Sequence, residues 1–492
     1  MIIRIKINGF KSLLNTELYF GPFTCIAGEN AVGKSNFFDA LSFLSKLADN
    51  TILYAAKSIR SEEQKHADIK DIFFKSGKDY YDKMFFEVDM LVSQKAIDDL
   101  GQEAEASITS LRYTLELKMN NEYNEGQPIQ IIKEELKPIT ITDAKKSIFF
   151  SKTVEWLNST ITGRRAKIPF ISTDGEKIKL HSDSKDKRGG RTTESIAQKM
   201  PRTLLSTVTG ESPTAFLARQ EMRNWIMLQF EPSALRQPNS IYEVKNAEIT
   251  AKGSNLPATL YRLHSEKKAE DVYQKLTNKL KGLVTDVDEI KIYKDEKRDL
   301  LTLQIKYKDG LVLPAQSLSD GTLRFLGLAI IKEDTKSSGL ICLEEPENGI
   351  NPKKIHEMVE LLEEMVTDTD YCVDDDNPLR QVIINSHSPL VVSAVPDESL
   401  YLATESEMVI EGFKKKVKFT SFSALTGTWK TDKKLIKTTT LGDIKDYLEY
   451  KEQTKAEYIE IENNTDTQSS TMKKKRTVSE NIQSAQLKLH SY

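Results

Sequence analysis

The stretch GENAVGKSN, residues 28–36, constrains the fold of this 492-residue chain more than any other feature. It follows a short apolar run, FTCIA, and precedes a segment in which Phe37, Leu41 and Leu44 recur at helical spacing. Strand, glycine-rich loop and helix form the unit that the pattern G-x-x-x-x-G-K-[ST] requires. In such a unit, backbone N–H groups, the helix N-terminus and the lysine surround phosphate oxygens. The sequence therefore predicts an α/β fold built around a P-loop that binds a nucleoside triphosphate.

Composition defines the broad class of the protein. Apolar residues make up 39% of the chain, charged residues make up 29%, and the formal net charge is −3. These values are typical of a globular protein and argue against one that coats nucleic acid through bulk positive charge. No apolar run approaches the roughly 20 residues that a membrane-spanning helix needs. The cysteines, Cys25, Cys342 and Cys372, lack paired spacing, so we expect a cytoplasmic protein without a cysteine metal site and without membrane contact.

Two carboxylates follow an apolar run far downstream, in LICLEEPENGINP, residues 340–352. The run predicts a buried strand, and ligands of open α/β sheets lie at the carboxyl ends of strands. In P-loop enzymes the first acidic residue at this place holds Mg²⁺, and the next polarises the attacking water. We therefore assign Glu344, together with Ser35, to Mg²⁺ and Glu345 to the catalytic base.

Two further segments place polar residues beside apolar elements. SLSDGTLRFLGLAII, residues 317–331, predicts a helix that Ser319 caps, and a helix start of this kind also binds anions. QVIINSHSPLVV, residues 381–392, places His387 directly after another buried strand, where it is able to contact a terminal phosphate. A capped helix and a lone histidine are each more often structural, so these residues alone leave both alternatives open.

Taken in order, these segments resemble the motifs of ABC-type ATPases of the SMC and RecF kind and of ATPases paired with OLD-family nucleases. Residues 28–35 resemble Walker A, 319–322 the signature, 340–345 Walker B, 348–352 the D-loop, and His387 the switch histidine. The resemblance implies ATP and Mg²⁺ as cofactors, with each signature contacting the ATP that a second copy holds. The nucleotide-binding residues that it implies are Gly28, Asn30, Gly33, Lys34, Ser35, Asn36, Ser319, Asp320 and Gly321. The catalytic residues that it implies are Glu344, Glu345 and His387.

The chain departs from the family pattern in two places. Walker B usually ends in aspartate where this chain has Glu344, so the choice between Glu344 and Glu345 as the base stays open. No glutamine clearly matches the family's Q-loop after Walker A, and Gln64 is a poor match.

The interval between the motifs predicts the domain organisation. It lacks the sustained heptads of a long coiled coil, strands are predicted at 84–92 and 111–119, and helices are predicted from 195 to 284. We therefore predict an ATPase head in which a mixed sheet with flanking helices lies beside an antiparallel β subdomain, with a mostly helical insertion. The predicted divisions are a first ATPase lobe at 1–120, the insertion at 121–285, a second ATPase lobe at 286–430 and a polar tail at 431–492.

Two phrases within this interval bear on function. EPSALRQPNS, residues 231–240, and KGSNLPATL, residues 252–260, resemble ATPases of bacterial anti-phage systems of the Septu type, with an HNH partner, and the PARIS type, with a TOPRIM partner. This resemblance implies a homo-oligomer of dimeric ATP-sandwich units that regulates a separate nuclease of the HNH or TOPRIM type. A stand-alone RecF-like DNA-repair ATPase is the alternative, and the large insertion disfavours a transporter subunit. Basic clusters occur at residues 164–167, 185–191, 414–416 and 473–476. Each is either a nucleic-acid-binding site or a solvated surface, so whether the protein binds nucleic acid stays open.

Overall fold

The computed structural model describes most of the chain between residues 1 and 444. The described residues are 1–59, 68–98, 101–120, 127–164, 168–181, 183, 193–266, 272–409, 416–431, 436–440 and 442–444. Gln64, most of the predicted basic clusters and the tail beyond residue 444 lie outside these ranges. No helix within them combines the length and the hydrophobicity that crossing a membrane requires.

The secondary structure alternates between strands and helices. The strands are β1 Ile2–Asn8, β2 Thr16–Tyr19, β3 Phe23–Gly28, β4 Lys75–Ser76, β5 Asp79–Tyr80, β6 Lys83–Leu91, β7 Lys95–Ile97, β8 Glu103–Glu105, β9 Ser110–Met119, β10 Ile129–Pro138, β11 Ile171–Asp174, β12 Lys177–Leu180, β13 Thr193–Ile196, β14 Ile226–Leu228, β15 Asn239–Ser240, β16 Val287–Asp295, β17 Leu300–Tyr307, β18 Val312–Pro314, β19 Gly339–Glu344, β20 Arg380–Ser386, β21 Leu400–Met408, β22 Val417–Leu425 and β23 Lys437–Thr439. The α-helices are α1 Lys34–Leu47, α2 Ile52–Lys57, α3 Ile141–Ser147, α4 Val154–Thr160, α5 Pro213–Arg223, α6 Pro232–Leu235, α7 Leu256–Glu266, α8 Val272–Leu283, α9 Asp320–Glu333, α10 Ile355–Glu364 and α11 Pro389–Ala394.

A seven-stranded mixed sheet, the core sheet, has the order β14-β19-β20-β3-β21-β22-β23. Neighbours from β14 to β21 are parallel, and β22 returns antiparallel to β21. β3 is buried along its whole length, as is expected of a central parallel strand and of its apolar sequence. Because these strands are parallel, the carboxyl ends of β14, β19, β20 and β3 meet at one edge of the sheet.

Helices cover both faces of the core sheet. On one face, α1 packs through Phe37, Leu41 and Leu44 into an apolar cluster that also contains Ile5 and Phe86 of a second sheet. On the other face, α7, α8, α9 and α10 pack into a separate apolar cluster. The helical spacing of apolar residues after the P-loop therefore reflects burial between two sheets.

The second sheet is antiparallel and has eight strands in the order β13-β12-β11-β10-β9-β6-β1-β2. β1 and β2 form an antiparallel hairpin. β6 and β9 confirm the strands that were predicted near 84–92 and 111–119. The fold-class prediction, a mixed sheet with flanking helices plus an antiparallel β subdomain, is therefore confirmed.

The middle of the chain contains more β structure than predicted. β10 to β13 extend the antiparallel sheet, and β14 adds an edge strand to the core sheet. The longer helices α5, α7 and α8 follow only after Pro213. The expectation of mostly helical structure therefore needs correction in the first part of this segment, where Lys133, Glu134 and Glu135 gave β10 the charged composition of an exposed helix. The predicted domain boundaries themselves stay a prediction.

A small antiparallel sheet of β15, β16, β17 and β18 packs against α7 and α8 on the second face of the core sheet. A hairpin turn at 308–311 joins β17 to β18, and the N–H of Tyr307 donates to the Leu311 carbonyl at 2.8 Å. β18 and a short 3₁₀ turn, Ala315–Ser317, then lead the chain into α9.

Candidate nucleotide-binding site

The P-loop connects β3 to α1, and its conformation depends on two glycines. Gly33 is the N-cap of α1 and has a φ of 96°, in the left-handed region. A Cβ at this position would lie 2.1 Å from Thr420 Oγ1 and 2.5 Å from Ser12 Oγ. A Cβ on Gly28 would lie 2.6 Å from the Ala403 carbonyl oxygen. Both positions therefore require glycine, as the motif predicts.

Side chains from two distant segments support the loop. Asn36 Nδ2 donates to Ser12 Oγ at 2.7 Å, and Ser12 Oγ lies 2.6 Å from Thr420 Oγ1. Thr420 Oγ1 donates to the Val32 carbonyl at 2.8 Å. Because a hydroxyl has a single proton, Ser12 is the donor to Thr420. The β1–β2 hairpin and β22 thus hold the P-loop through one chain of hydrogen bonds.

Lys34 is the buried cation of the loop, with 6% of its surface exposed. Its Nζ donates to the carbonyls of Gly28 at 2.8 Å and Glu29 at 2.7 Å. These bonds hold the ammonium group beside the N-terminus of α1, where the helix dipole also favours an anion.

A cleft of about 680 Å³ opens at the carboxyl edge of the core sheet, within the usual size range of small-molecule sites. The P-loop, the end of β19 and one side of α9 contribute to its wall. The predicted site residues that line it are Asn30, Gly33, Lys34, Ser35, Asn36, Glu344 and Glu345. Residues from distant parts of the sequence therefore meet in one space. Gly28 does not line this cleft, but its carbonyl accepts a hydrogen bond from Lys34, which does.

Glu345 follows β19 directly and has a φ of 47°. A residue other than glycine in this conformation costs of order 1 kcal/mol or more, and such strain is concentrated at functional sites. Asn348 Nδ2 donates to Glu345 Oε2 at 2.9 Å, and His387 Nδ1 lies 2.6 Å from Oε1. Burial raises the pKa of Glu345, but the hydrogen bonds from Asn348 and His387 outweigh it and lower that pKa below its ordinary value. Since an ionised carboxylate only accepts, His387 donates to Glu345 and both hydrogen bonds fix its orientation.

The signature residues lie outside the cleft. Ser319, Asp320 and Gly321 are not among the described residues that line it. Ser319 caps α9, because its Oγ accepts a backbone N–H from the first turn at 3.2 Å. Asp320 Oδ1 lies 2.5 Å from Arg236 Nη2, and a Cβ on Gly321 would lie 2.1 Å from the Gly349 carbonyl oxygen of the D-loop. The chain therefore does not bring its own signature residues into its own P-loop cleft.

A family model described as AAA ATPase domain matches residues 1–392. The chain belongs to the AAA ATPase domain family. This match confirms the prediction of a P-loop ATPase domain, whereas the anti-phage assignment stays a prediction. No curated protein sequence matches the chain.

Several solved structures of SMC heads are similar to this AAA ATPase domain protein at low identity. The SmcHead bound to the C-winged helix domain of ScpA is 13% identical, with a TM-score of 0.42 over 85% of this chain and 98% of that chain. The SMC head domain from Thermotoga maritima is 12% identical, with a TM-score of 0.35 over 85% and 97% of the two chains. The Smc head domain with an extended coiled coil, bound to the C-terminal domain of ScpA derived from Pyrococcus furiosus, is 13% identical, with a TM-score of 0.38 over 85% and 96%.

The AAA ATPase domain contains functional candidates that the motifs did not indicate. Gln229 follows the edge strand β14 and lines the cleft, so a glutamine does contribute to the site, far along the chain from Gln64. A three-residue strand has too few residues to show a clear hydropathy pattern. Asn385, at the end of β20, donates to Glu344 Oε1 at 3.4 Å and accepts the N–H of Glu345 at 3.1 Å through its side-chain oxygen. The sequence signal for Asn385 was a polar residue at the end of the apolar run before His387.

Glu347 is a buried carboxyl behind the cleft. The hydroxyl of Ser386 donates to it, and burial raises the pKa of Glu347. In the sequence, Glu347 lies in a polar turn after β19, so the burial of this residue has no local signal. It braces the turn that carries Glu345 against the end of β20.

The residues of the cleft fit a nucleotide with Mg²⁺. The Ser35 hydroxyl, the Glu344 carboxylate and the Gln229 carboxamide line the same space, and oxygen atoms are the ligands that Mg²⁺ prefers. The close packing at Gly28 and Gly33 shows that this loop backbone has no room for larger residues, as a phosphate cradle requires.

Proposed function

We propose that this chain binds and hydrolyses ATP with Mg²⁺, and that ATP binding pairs two copies of the chain. The observation that supports this proposal most strongly is the division of the site. The cleft unites the P-loop with Glu344 and Glu345, whereas the signature turn, residues 319–322, lies elsewhere on the same chain. A second copy that supplies Ser319 and Gly321 would complete each site, and the two copies would do so reciprocally.

Each predicted residue has a defined role in this proposal. Lys34 and the loop around Gly33 would bind the phosphates, while Ser35 and Glu344 would hold Mg²⁺. When bound, Mg²⁺ supplies neutralisation of phosphate charge. Glu345 would accept a proton from the attacking water. His387 would orient Glu345 through the 2.6 Å hydrogen bond between them.

Sedimentation of the Glu345→Gln variant tests the pairing. Loss of the base slows hydrolysis, so the ATP-bound pair accumulates and the sedimenting mass doubles with ATP but not with ADP. The same variant carrying Lys34→Ala serves as the control and should stay unpaired. If Glu345→Gln protein keeps its single-copy mass at saturating ATP, the pairing proposal is wrong. Separately, unaltered nucleotide binding by Lys34→Ala protein would refute the assignment of the loop.

The resemblance of residues 231–240 and 252–260 to anti-phage ATPases supports a further part of the proposal. In this part, the paired chains form a cytoplasmic scaffold that holds a separate nuclease of the HNH or TOPRIM type and controls it through nucleotide state. Affinity purification of the full chain from its native cells, followed by mass spectrometry, should recover that nuclease. Recovery of the chain alone, with hydrolysis stimulated by DNA, would favour the RecF-like alternative.

A further inference from the structure

A second cation reaches the cleft from the face of the core sheet opposite to Lys34. Arg324 lies on α9 and lines the cleft together with Lys34 and Glu345. α1, which carries Lys34, packs into the apolar cluster on one face of the core sheet, and α9 packs into the cluster on the other face. A ligand in the cleft therefore meets positive charge from two sides.

One donor of the Arg324 guanidinium is fixed to the D-loop. Arg324 Nη1 donates to the Asn348 carbonyl at 2.8 Å, and Asn348 Nδ2 donates in turn to Glu345 Oε2. Arg324 Nε is shielded from solvent and has no hydrogen-bond partner within the described ranges of the chain. A guanidinium carries five N–H groups in a rigid fork that matches phosphate oxygens. Arg324 therefore keeps donors for a ligand while it holds the D-loop.

The charge of the cleft favours a phosphate contact at Arg324. Glu231, Glu344 and Glu345 also line the cleft, so a triphosphate there faces several carboxylates. Lys34 compensates this repulsion from the P-loop side alone. A charge-assisted contact from α9 would add compensation from the side of the cleft opposite to the P-loop.

Arg324 is also connected to the surface that pairing would use. α9 begins at the signature turn, and a Cβ on Gly321 would lie 2.1 Å from the Gly349 carbonyl oxygen. The D-loop and the signature turn are therefore in direct backbone contact. A displacement of Arg324 by a bound phosphate would act on Asn348 and on the signature turn together.

We propose that Arg324 binds the terminal phosphate of ATP in the cleft of its own chain and thereby makes pairing selective for ATP over ADP. This inference rests on the proposed function, because it states how the P-loop cleft controls the signature surface.

Equilibrium titration of full-length protein with fluorescent ATP and ADP, below the concentration at which copies pair, tests the contact. Arg324→Gln should weaken ATP binding by about 10-fold or more and ADP binding by less than about 3-fold, because only ATP has the terminal phosphate. Arg324→Lys should recover part of the ATP affinity, since lysine keeps the charge but not the fork. Arg219→Gln is the matched control: Arg219 Nε also donates to a backbone carbonyl, that of Ala48 at 2.9 Å, and Arg219 is outside the described lining of the cleft.

Sedimentation provides the second readout. At saturating ATP, the Glu345→Gln, Arg324→Gln double variant should remain unpaired although Glu345→Gln alone pairs. Equal losses of ATP and ADP affinity, or no loss of either, would overturn the phosphate contact. Full pairing of the double variant would overturn the coupling to the signature turn. Both results differ from those that would refute the proposed function. The proposed function fails if Lys34→Ala protein binds nucleotide normally or if Glu345→Gln protein does not pair in the presence of ATP.

Discussion

Substitution of Gly33 by alanine tests how the P-loop is held, and Gly310 provides a matched control. Gly33 has a φ of 96° and Gly310 a φ of 88°, so an added Cβ strains the backbone similarly at both positions, by about 1–2 kcal/mol. The surroundings differ. At Gly33 the Cβ would lie 2.1 Å from Thr420 Oγ1 and 2.5 Å from Ser12 Oγ, whereas at Gly310 no atom lies within 4 Å.

The difference in surroundings sets the expected magnitude. Relief of the contacts at Gly33 requires both Thr420 and Ser12 to move, which costs about 1–3 kcal/mol for overpacking and about 1 kcal/mol for a lost hydrogen bond. With the backbone strain added, Gly33→Ala should lower the free energy of unfolding by about 3–6 kcal/mol. Gly310→Ala should lower it by about 1–2 kcal/mol, from strain alone.

Urea denaturation followed by circular dichroism measures these losses, and ATP titration measures the effect on the site. Gly33→Ala should also weaken ATP binding, whereas Gly310→Ala, in the β17–β18 turn, should leave it unchanged. Adding Thr420→Ala to Gly33→Ala removes the closest contact and should recover part of the stability. Equal losses in Gly33→Ala and Gly310→Ala would refute the close approach of β22 and the hairpin to the loop.

Three further predictions concern the antiparallel sheet and the cleft. Asp89→Ala should lower the free energy of unfolding in a denaturation curve by about 1–3 kcal/mol, because Arg4 loses the carboxylate that its Nε contacts at 2.8 Å but still donates to Glu17 and Glu87 through Nη1 and Nη2. Burial raises the pKa of Glu134 to about 7 from an ordinary value of about 4.5, so the folded state binds the proton more tightly between these values. The stability that this protonation contributes is present below about pH 4.5 and is lost as pH rises through about 7. The melting temperature should therefore fall less between these pH values in Glu134→Gln than in the parent protein. Gln229→Ala should slow phosphate release from ATP while ADP affinity changes little, and unchanged release would remove Gln229 from the site.

The sequence predicted those parts of the fold whose signals are local. Strand β3, the glycine loop and α1 are consecutive in the sequence. The apolar residues before and after the loop therefore indicate that its glycines and Lys34 belong to a phosphate-binding loop. Glu344 and Glu345 were also predictable from a local signal, because they follow an apolar run that predicts a buried strand. That strand is β19, which pairs with β20 in the core sheet.

Residues that depend on tertiary contacts were harder to predict. Glu134 lies in the charged strand β10, yet it is fully buried and accepts the backbone N–H groups of Leu204 at 2.7 Å and Leu205 at 2.9 Å. Nothing near Glu134 in the sequence indicates these partners. Arg324 reads as a polar position on an apolar helix, and its importance becomes visible only when α9 is placed beside β19.

Mixing two inactive variants tests the central claim most directly. Lys34→Ala protein keeps its signature turn but loses its P-loop cation, and Ser319→Arg protein keeps its P-loop but blocks its signature turn. If active sites are shared between copies, a mixed pair contains one intact P-loop facing one intact signature turn. Phosphate release by the mixture should then clearly exceed the sum of the two variants assayed alone. A rate equal to that sum, with both variants folded and Ser319→Arg protein still binding ATP, would contradict a site built from two copies of this chain.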